Sequence, residues 1–129
     1  MNLPSRFLLD TDILIEYIRD RGQAVEFVDN LEGELLVSAA TVAELYAGTR
    51  NDAEQQRLDD LISAFSFIPV DKTIAKQGGQ YRYQYGKSHG TGLIDALIAA
   101  TAEIEGANLV TFNRRHFPMI TNLQVPYER

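Results

Sequence analysis

The sequence predicts an α/β domain, a three-layer α/β/α sandwich around a short, mainly parallel sheet. Three observations carry this expectation. Apolar runs too short for helices (Phe7-Leu8-Leu9, Leu35-Leu36-Val37 and Leu109-Val110) alternate with longer stretches of helical periodicity. The runs are continuously apolar, which suits strands covered by helices on both faces. Glycines and capping residues stand at the junctions, and no repeat, low-complexity segment or linker interrupts the 129 residues, so one domain is expected.

In order, residues 6–9 read as a strand and 12–20 as an amphipathic helix with Ile13, Tyr17 and Ile18 inward; Thr11, Asp12 or Asp10 can cap it. After Gly22, residues 23–31 place Ala24, Phe27, Val28 and Leu31 on one helical face. Leu35-Leu36-Val37 is the second strand, followed by a helix over 39–48 ending at Gly48. Asn51-Asp52 restarts a helix to about Phe65, with Leu58, Leu61, Ile62 and Phe65 inward. Phe67-Ile68-Pro69-Val70 reads as a third strand whose proline implies an edge or terminal position.

Asp71 caps a helix predicted to reach about Tyr85; Gly78-Gly79 weakens it by about 1 kcal/mol per glycine, so a kink or frayed segment is expected. Residues 86–92, with Lys87, Ser88 and His89, read as a polar loop. The clearest helix spans 93–105, where Ala96, Ala99, Ala100 and Ala102 permit close packing, and Gly106 ends it. Residues 108–111 form a fourth strand, 113–117 a loop or single helical turn before Pro118, and 123–125 a last short strand.

No apolar run approaches the roughly 18 residues of a membrane span, and the N-terminus lacks signal-peptide features. Cysteine is absent, which excludes disulfides and thiolate chemistry, so a cytoplasmic location is expected. The net charge of −6 argues against binding nucleic acid through phosphate neutralisation alone. Two alternatives remain: no nucleic-acid partner, or an acidic pocket that needs a metal before a phosphate can approach. Arg82, Lys87, His89, Arg114, Arg115 and His116 gather in the second half. Lys87, Ser88, His89, Arg114 and Arg115 are candidates for substrate phosphate contact, against the plainer reading of solvated loops. His89 as a general acid is a further alternative.

Most acids, such as Glu54, Asp59 and Asp60, fall on predicted helix surfaces, but Asp10, Glu44 and Asp95 do not. Asp10 ends a buried strand, Glu44 sits in Val42-Ala43-Glu44-Leu45-Tyr46, and Asp95 opens the most apolar helix. Each has a structural alternative: a helix cap for Asp10, a solvated helix boundary for Glu44, the helix dipole for Asp95. Jointly these alternatives weaken, because unpaired carboxylates in apolar surroundings are costly. A divalent cation relieves their repulsion. Oxygen ligands, with no Cys and two His, favour Mg2+ or Mn2+ over Zn2+. Such a site suits phosphodiester hydrolysis, where the metal polarises the phosphoryl oxygen and activates water.

The chain also resembles a known family, the PIN domain, and within it the VapC-like toxin ribonucleases of toxin–antitoxin pairs. The resemblance rests on Leu9-Asp10-Thr11-Asp12-Ile13-Leu14-Ile15 and Ser38-Ala39-Ala40-Thr41-Val42-Ala43-Glu44-Leu45-Tyr46-Ala47-Gly48. It continues through Gly92-Leu93-Ile94-Asp95-Ala96-Leu97-Ile98-Ala99-Ala100-Thr101-Ala102 and Leu109-Val110-Thr111-Phe112-Asn113-Arg114-Arg115-His116-Phe117. It implies an Mg2+- or Mn2+-dependent endoribonuclease acting on RNA, a homodimer, and an antitoxin that occludes the site. Asp10, Glu44 and Asp95 match the family's acidic positions. Asn113 and His116 stand where many members carry a fourth acid, and Asp12 where many carry Asn; Asp12 and Asn113 are auxiliary metal-site candidates, Asp12 foremost as a helix cap. Two rival readings are an Asp-nucleophile phosphatase built on Asp10-Thr11-Asp12 and a degenerate nuclease fold kept for binding protein or RNA.

Overall fold

The structure, a computed structural model, describes residues 5–128. Strands β1 (Arg6–Leu9), β2 (Glu34–Ser38), β3 (Ser66–Ile68), β4 (Asn108–Val110) and β5 (Leu123–Gln124) form one sheet in the order β3-β2-β1-β4-β5. Every neighbouring pair is parallel, with Leu8 level with Leu36 on one side and Leu109 on the other. The helices are α1 (Thr11–Ile18), α2 (Gly22–Asp29), α3 (Ala39–Ala47), α4 (Asp52–Ala64), α5 (Lys72–His89) and α6 (Leu93–Glu105). A single 3-10 turn spans Arg114–His116. This is the predicted α/β/α sandwich.

Successive strand residues face opposite ways, so each dipeptide of the central strands feeds both cores. Leu8, Leu36 and Leu109 pack with Ile74 and Tyr81 of α5 and the alanines of α6. Leu9, Val37 and Val110 pack with Ile13 and Leu14 of α1, Val28 of α2, Leu45 of α3 and Leu58 of α4. Each fully buried leucine or isoleucine contributes about 1.5–3 kcal/mol. From β1 the chain moves to β2 on one side and later returns to β4 on the other, which makes the β1–β4 pair the place where strand order reverses. In open parallel sheets the carboxyl ends of such a pair border the binding crevice. Asp10 and Thr111 immediately follow the two strands there.

Four expectations change. The third strand is Ser66–Ile68, at the sheet edge, and stops before Pro69, whose missing N–H cannot extend the ladder. Helix α5 does not end near Tyr85 but runs to His89, so Lys87, Ser88 and His89 lie on its last turn rather than in a loop. Lys87 and His89 complement the negative end of the helix, and Gly90, at φ +67°, supplies the left-handed stop. Gly78-Gly79 produces no break in α5. Gly78 instead lets α6 approach, since a Cβ there would lie 2.7 Å from Leu97 Cδ2 and 3.2 Å from its Cα. Lastly, Glu54 is not a surface residue: it is 4% exposed and paired at 2.8 Å with Arg50, which stands just before the N-cap of α4. That guanidinium holds the Glu54 carboxyl below its ordinary range.

Candidate active site

The strand register builds the site. Leu9 pairs with Val110, and the Asp10 N–H continues the ladder to the Val110 carbonyl at 2.9 Å. Asp10 is therefore still strand-like (φ −70°, ψ 160°) while serving as N-cap of α1. Its side chain, 3% exposed, accepts from the Thr11 N–H at 2.7 Å through Oδ1. Through Oδ2 it accepts from the Thr111 hydroxyl, also at 2.7 Å. Burial pushes Asp10 up to about 7, reinforced by the charges of Asp12 and, less strongly, Asp95; the Thr111 and Thr11 hydrogen bonds oppose the rise. This carboxylate is held in a place that disfavours its own charge.

Asp12 is not the cap; the strand tip reaches α1 at Asp10, two residues earlier than a cap at Asp12 would need. Asp12 lies in the first helical turn, where its Oδ2 accepts the Phe112 N–H at 3.0 Å and so ties α1 to the end of β4. Glu44 lies on the exposed side of α3, and its Oε1 accepts the Thr11 hydroxyl at 2.6 Å. Thr11 thus bridges two acids, its N–H on Asp10 and its hydroxyl on Glu44. Glu44 also borders a cleft between α1, α3 and α4 that Arg19 and Glu54 line. The helix α3 starts there because Ser38, at the tip of β2, caps it through the Ala40 N–H at 3.1 Å.

Asp95, in the first turn of α6, is half-buried, and its Oδ2 lies 3.0 Å from His116 Nδ1. Burial raises Asp95, while the charge and hydrogen bond of His116 and the Gly92 N–H pull it back. Asn113 is exposed; its backbone N–H donates to the Thr111 hydroxyl oxygen at 3.0 Å. Arg114 and Arg115 are exposed on the 3-10 turn. At the end of α5, Lys87 is exposed and Ser88 Oγ lies 2.8 Å from His89 Nδ1. Gly90, just beyond, adjoins the His116 ring, with a Cβ there falling 3.6 Å from Nε2. The end of α5 and the arginine turn are therefore neighbours.

Sequence reasoning missed Thr11 and Thr111 as partners of the acids, and the pairing of His116 with Asp95. Thr111 read only as the last residue of a strand. Its signal was available: like Asp10, it is a polar residue directly after an apolar run.

Among the described residues, no three Asp, Glu, His or Cys side chains form a ready-made metal cage. Mg2+ does not require one, since it keeps several waters and takes one or two protein carboxylates with phosphate oxygens. Asp10 and Asp95 fit that requirement: oxygen donors, buried or half-buried, each raised toward protonation, Asp10 in part by the charge of Asp95. A divalent cation is the charge that would favour their ionised forms.

The family model described as PIN domain matches residues 7–121. Ribonuclease VapC10 of Mycobacterium tuberculosis is 36% identical over 123 residues, covering 93% of this chain and 92% of that protein. Ribonuclease VapC19 of the same organism is 39% identical over 125 residues, covering 93% and 98%. A solved structure described as a toxin–antitoxin complex from Klebsiella pneumoniae superposes with a TM-score of 0.82 at 29% identity, covering 95% of this chain and 98% of that one.

Proposed function

The chain belongs to the PIN-domain family and is VapC-like, and from that premise we propose that it is a metal-dependent endoribonuclease, the toxin of a toxin–antitoxin pair. The observation that carries the chemistry is the buried Asp10 carboxylate at the β1–β4 tip, raised to about 7 with the charges of Asp12 and Asp95 bearing on it. Asp10 and Asp95 would hold the metal, with Glu44 linked to them through Thr11 and with Asp12 and Asn113 auxiliary. A bound Mg2+ or Mn2+ supplies Lewis-acid polarisation of a phosphoryl oxygen and a nucleophilic water at neutral pH.

The protein's own residues orient and screen. Thr11 and Thr111 fix both oxygens of Asp10, so the carboxylate cannot rotate away from the crevice. Arg114 and Arg115, with Lys87 at the end of α5, offer cations to an RNA backbone that the acids alone would repel, and His89 beside them offers an imidazole for hydrogen bonding. The local basic rim reconciles the net charge of −6 with a polyanionic substrate. An antitoxin partner, a homodimeric assembly and a cytoplasmic location complete this reading; among the described residues no helix is long and apolar enough to cross a membrane.

The test is cleavage of structured RNA by the purified, partner-free chain with and without Mg2+ or Mn2+. Metal-dependent cleavage is expected, abolished by Asp10→Asn and by Asp95→Asn with the fold intact. Cleavage indifferent to both substitutions would overturn the site, and RNA binding without cleavage would favour a binding module. The phosphatase alternative loses ground because it gives no role to Glu44, which Thr11 links to Asp10. Turnover of a phosphomonoester through an Asp10 adduct would restore it.

A further inference from the structure

His116 is held more firmly than the last residue of a short turn after two exposed arginines requires. Its backbone N–H donates to the Asn113 carbonyl at 3.0 Å, and its own carbonyl accepts the hydroxyl of Thr91 at 2.7 Å. Thr91 is 1% exposed, so a buried hydroxyl is committed to fixing this one peptide. On the ring's other side stands Gly90, where a Cβ would lie 3.6 Å from Nε2 and 3.8 Å from Cδ2. Pinned this way, the imidazole places Nδ1 3.0 Å from Asp95 Oδ2. An ionised carboxylate only accepts, so the hydrogen belongs to Nδ1.

We propose that His116 is a positioning residue for Asp95, its Nδ1–H fixing the carboxylate so that the remaining acceptor sites stand ready for a divalent cation. A carboxylate has about four acceptor sites. The His116 imidazole engages Oδ2 of Asp95 from outside α6, which sets the orientation of the carboxylate and leaves sites open on both oxygens. Metal ligands are commonly oriented by such outer partners, whose loss costs about 10–100-fold in metal affinity or activity. In this site the usual order is reversed: the carboxylate is the ligand and the histidine stands behind it. His116 and Asp95 are 21 residues apart in sequence and meet only because the turn after β4 folds over the start of α6.

This inference rests on the metal-site reading above, and its test separates the two. Mn2+ affinity is measured by calorimetry, without RNA, on the wild type and on Asp10→Asn, His116→Ala and His116→Asn, with circular dichroism confirming the fold. His116→Ala is expected to weaken Mn2+ binding by about 10-fold or more, and His116→Asn, which keeps an amide donor near Nδ1, to recover most of it. A similar partial rescue is expected in RNA cleavage at limiting Mn2+, narrowing as Mn2+ approaches saturation. If His116→Ala binds Mn2+ within about twofold of wild type while Asp10→Asn does not bind, positioning is overturned and the metal site stands. If Ala and Asn weaken binding equally, the Nδ1–H bond is not the cause and the proposal falls. Wild-type affinity in Asp10→Asn would overturn both readings together.

Discussion

Asp10 carries opposing demands, and the sign of its effect on stability follows from them. An unfolded aspartate ionises near about 4, whereas burial and the neighbouring acids bring folded Asp10 to about 7. Between those values the native state holds more protons than the unfolded state, so stability falls as pH rises through this window. The shift corresponds to a penalty of up to about 4 kcal/mol above pH 7 in metal-free protein. Metal-free Asp10→Asn should therefore melt above wild type at pH 8, the two converging near pH 4; thermal melts across pH read this out, and equal melting at pH 8 would remove the buried-charge account. Thr111→Val should have the opposite effect. It deletes a hydroxyl that donates to Asp10 at 2.7 Å, a charge-assisted bond worth about 1.5–3 kcal/mol. Its cost in urea unfolding should be larger at pH 8 than at pH 4, where the carboxyl is neutral.

At the scale of elements, the two helices on the α5–α6 face depend on a single missing methyl. Gly78 and Gly79 are adjacent, yet a Cβ at Gly78 would meet Leu97 at 2.7 Å while one at Gly79 would meet nothing within 4 Å. Both gain helix propensity of about 1 kcal/mol on becoming alanine. For Gly78→Ala the contact with the Leu97 backbone outweighs that gain, since overpacking costs about 1–3 kcal/mol and Leu97 Cα cannot swing aside. Chemical denaturation should find Gly79→Ala more stable than wild type and Gly78→Ala less stable. Stabilisation by both would mean that α5 and α6 separate readily. The sequence shows two weak helix positions in this pair; only the packing assigns one of them a purpose.

For the whole molecule, the parallel sheet brings the polar ends of β1, β2 and β4 to one edge, and two helical layers bury everything beneath. A cation bound there stabilises the folded state by mass action. Mn2+ should raise the melting temperature of wild type in a concentration-dependent way and leave Asp10→Asn nearly unmoved; an equal rise in both would point to binding elsewhere. The sequence by itself determined the layers, the parallel strands, the edge or terminal place of the strand beside Pro69 and the placing of Asp10 at a strand tip. All of these follow from local periodicity and from the stereochemistry of proline and glycine, which act over a few residues. Tertiary structure alone decided which groups the acids meet. Thr111 reaches Asp10 from 101 residues away because Leu9 is in register with Val110, and His116 reaches Asp95 because the turn after β4 lies against α6. A slip of one residue would turn Thr111 to the other face of the sheet. That register is set by the fit of both cores at once, which no short stretch of the chain contains.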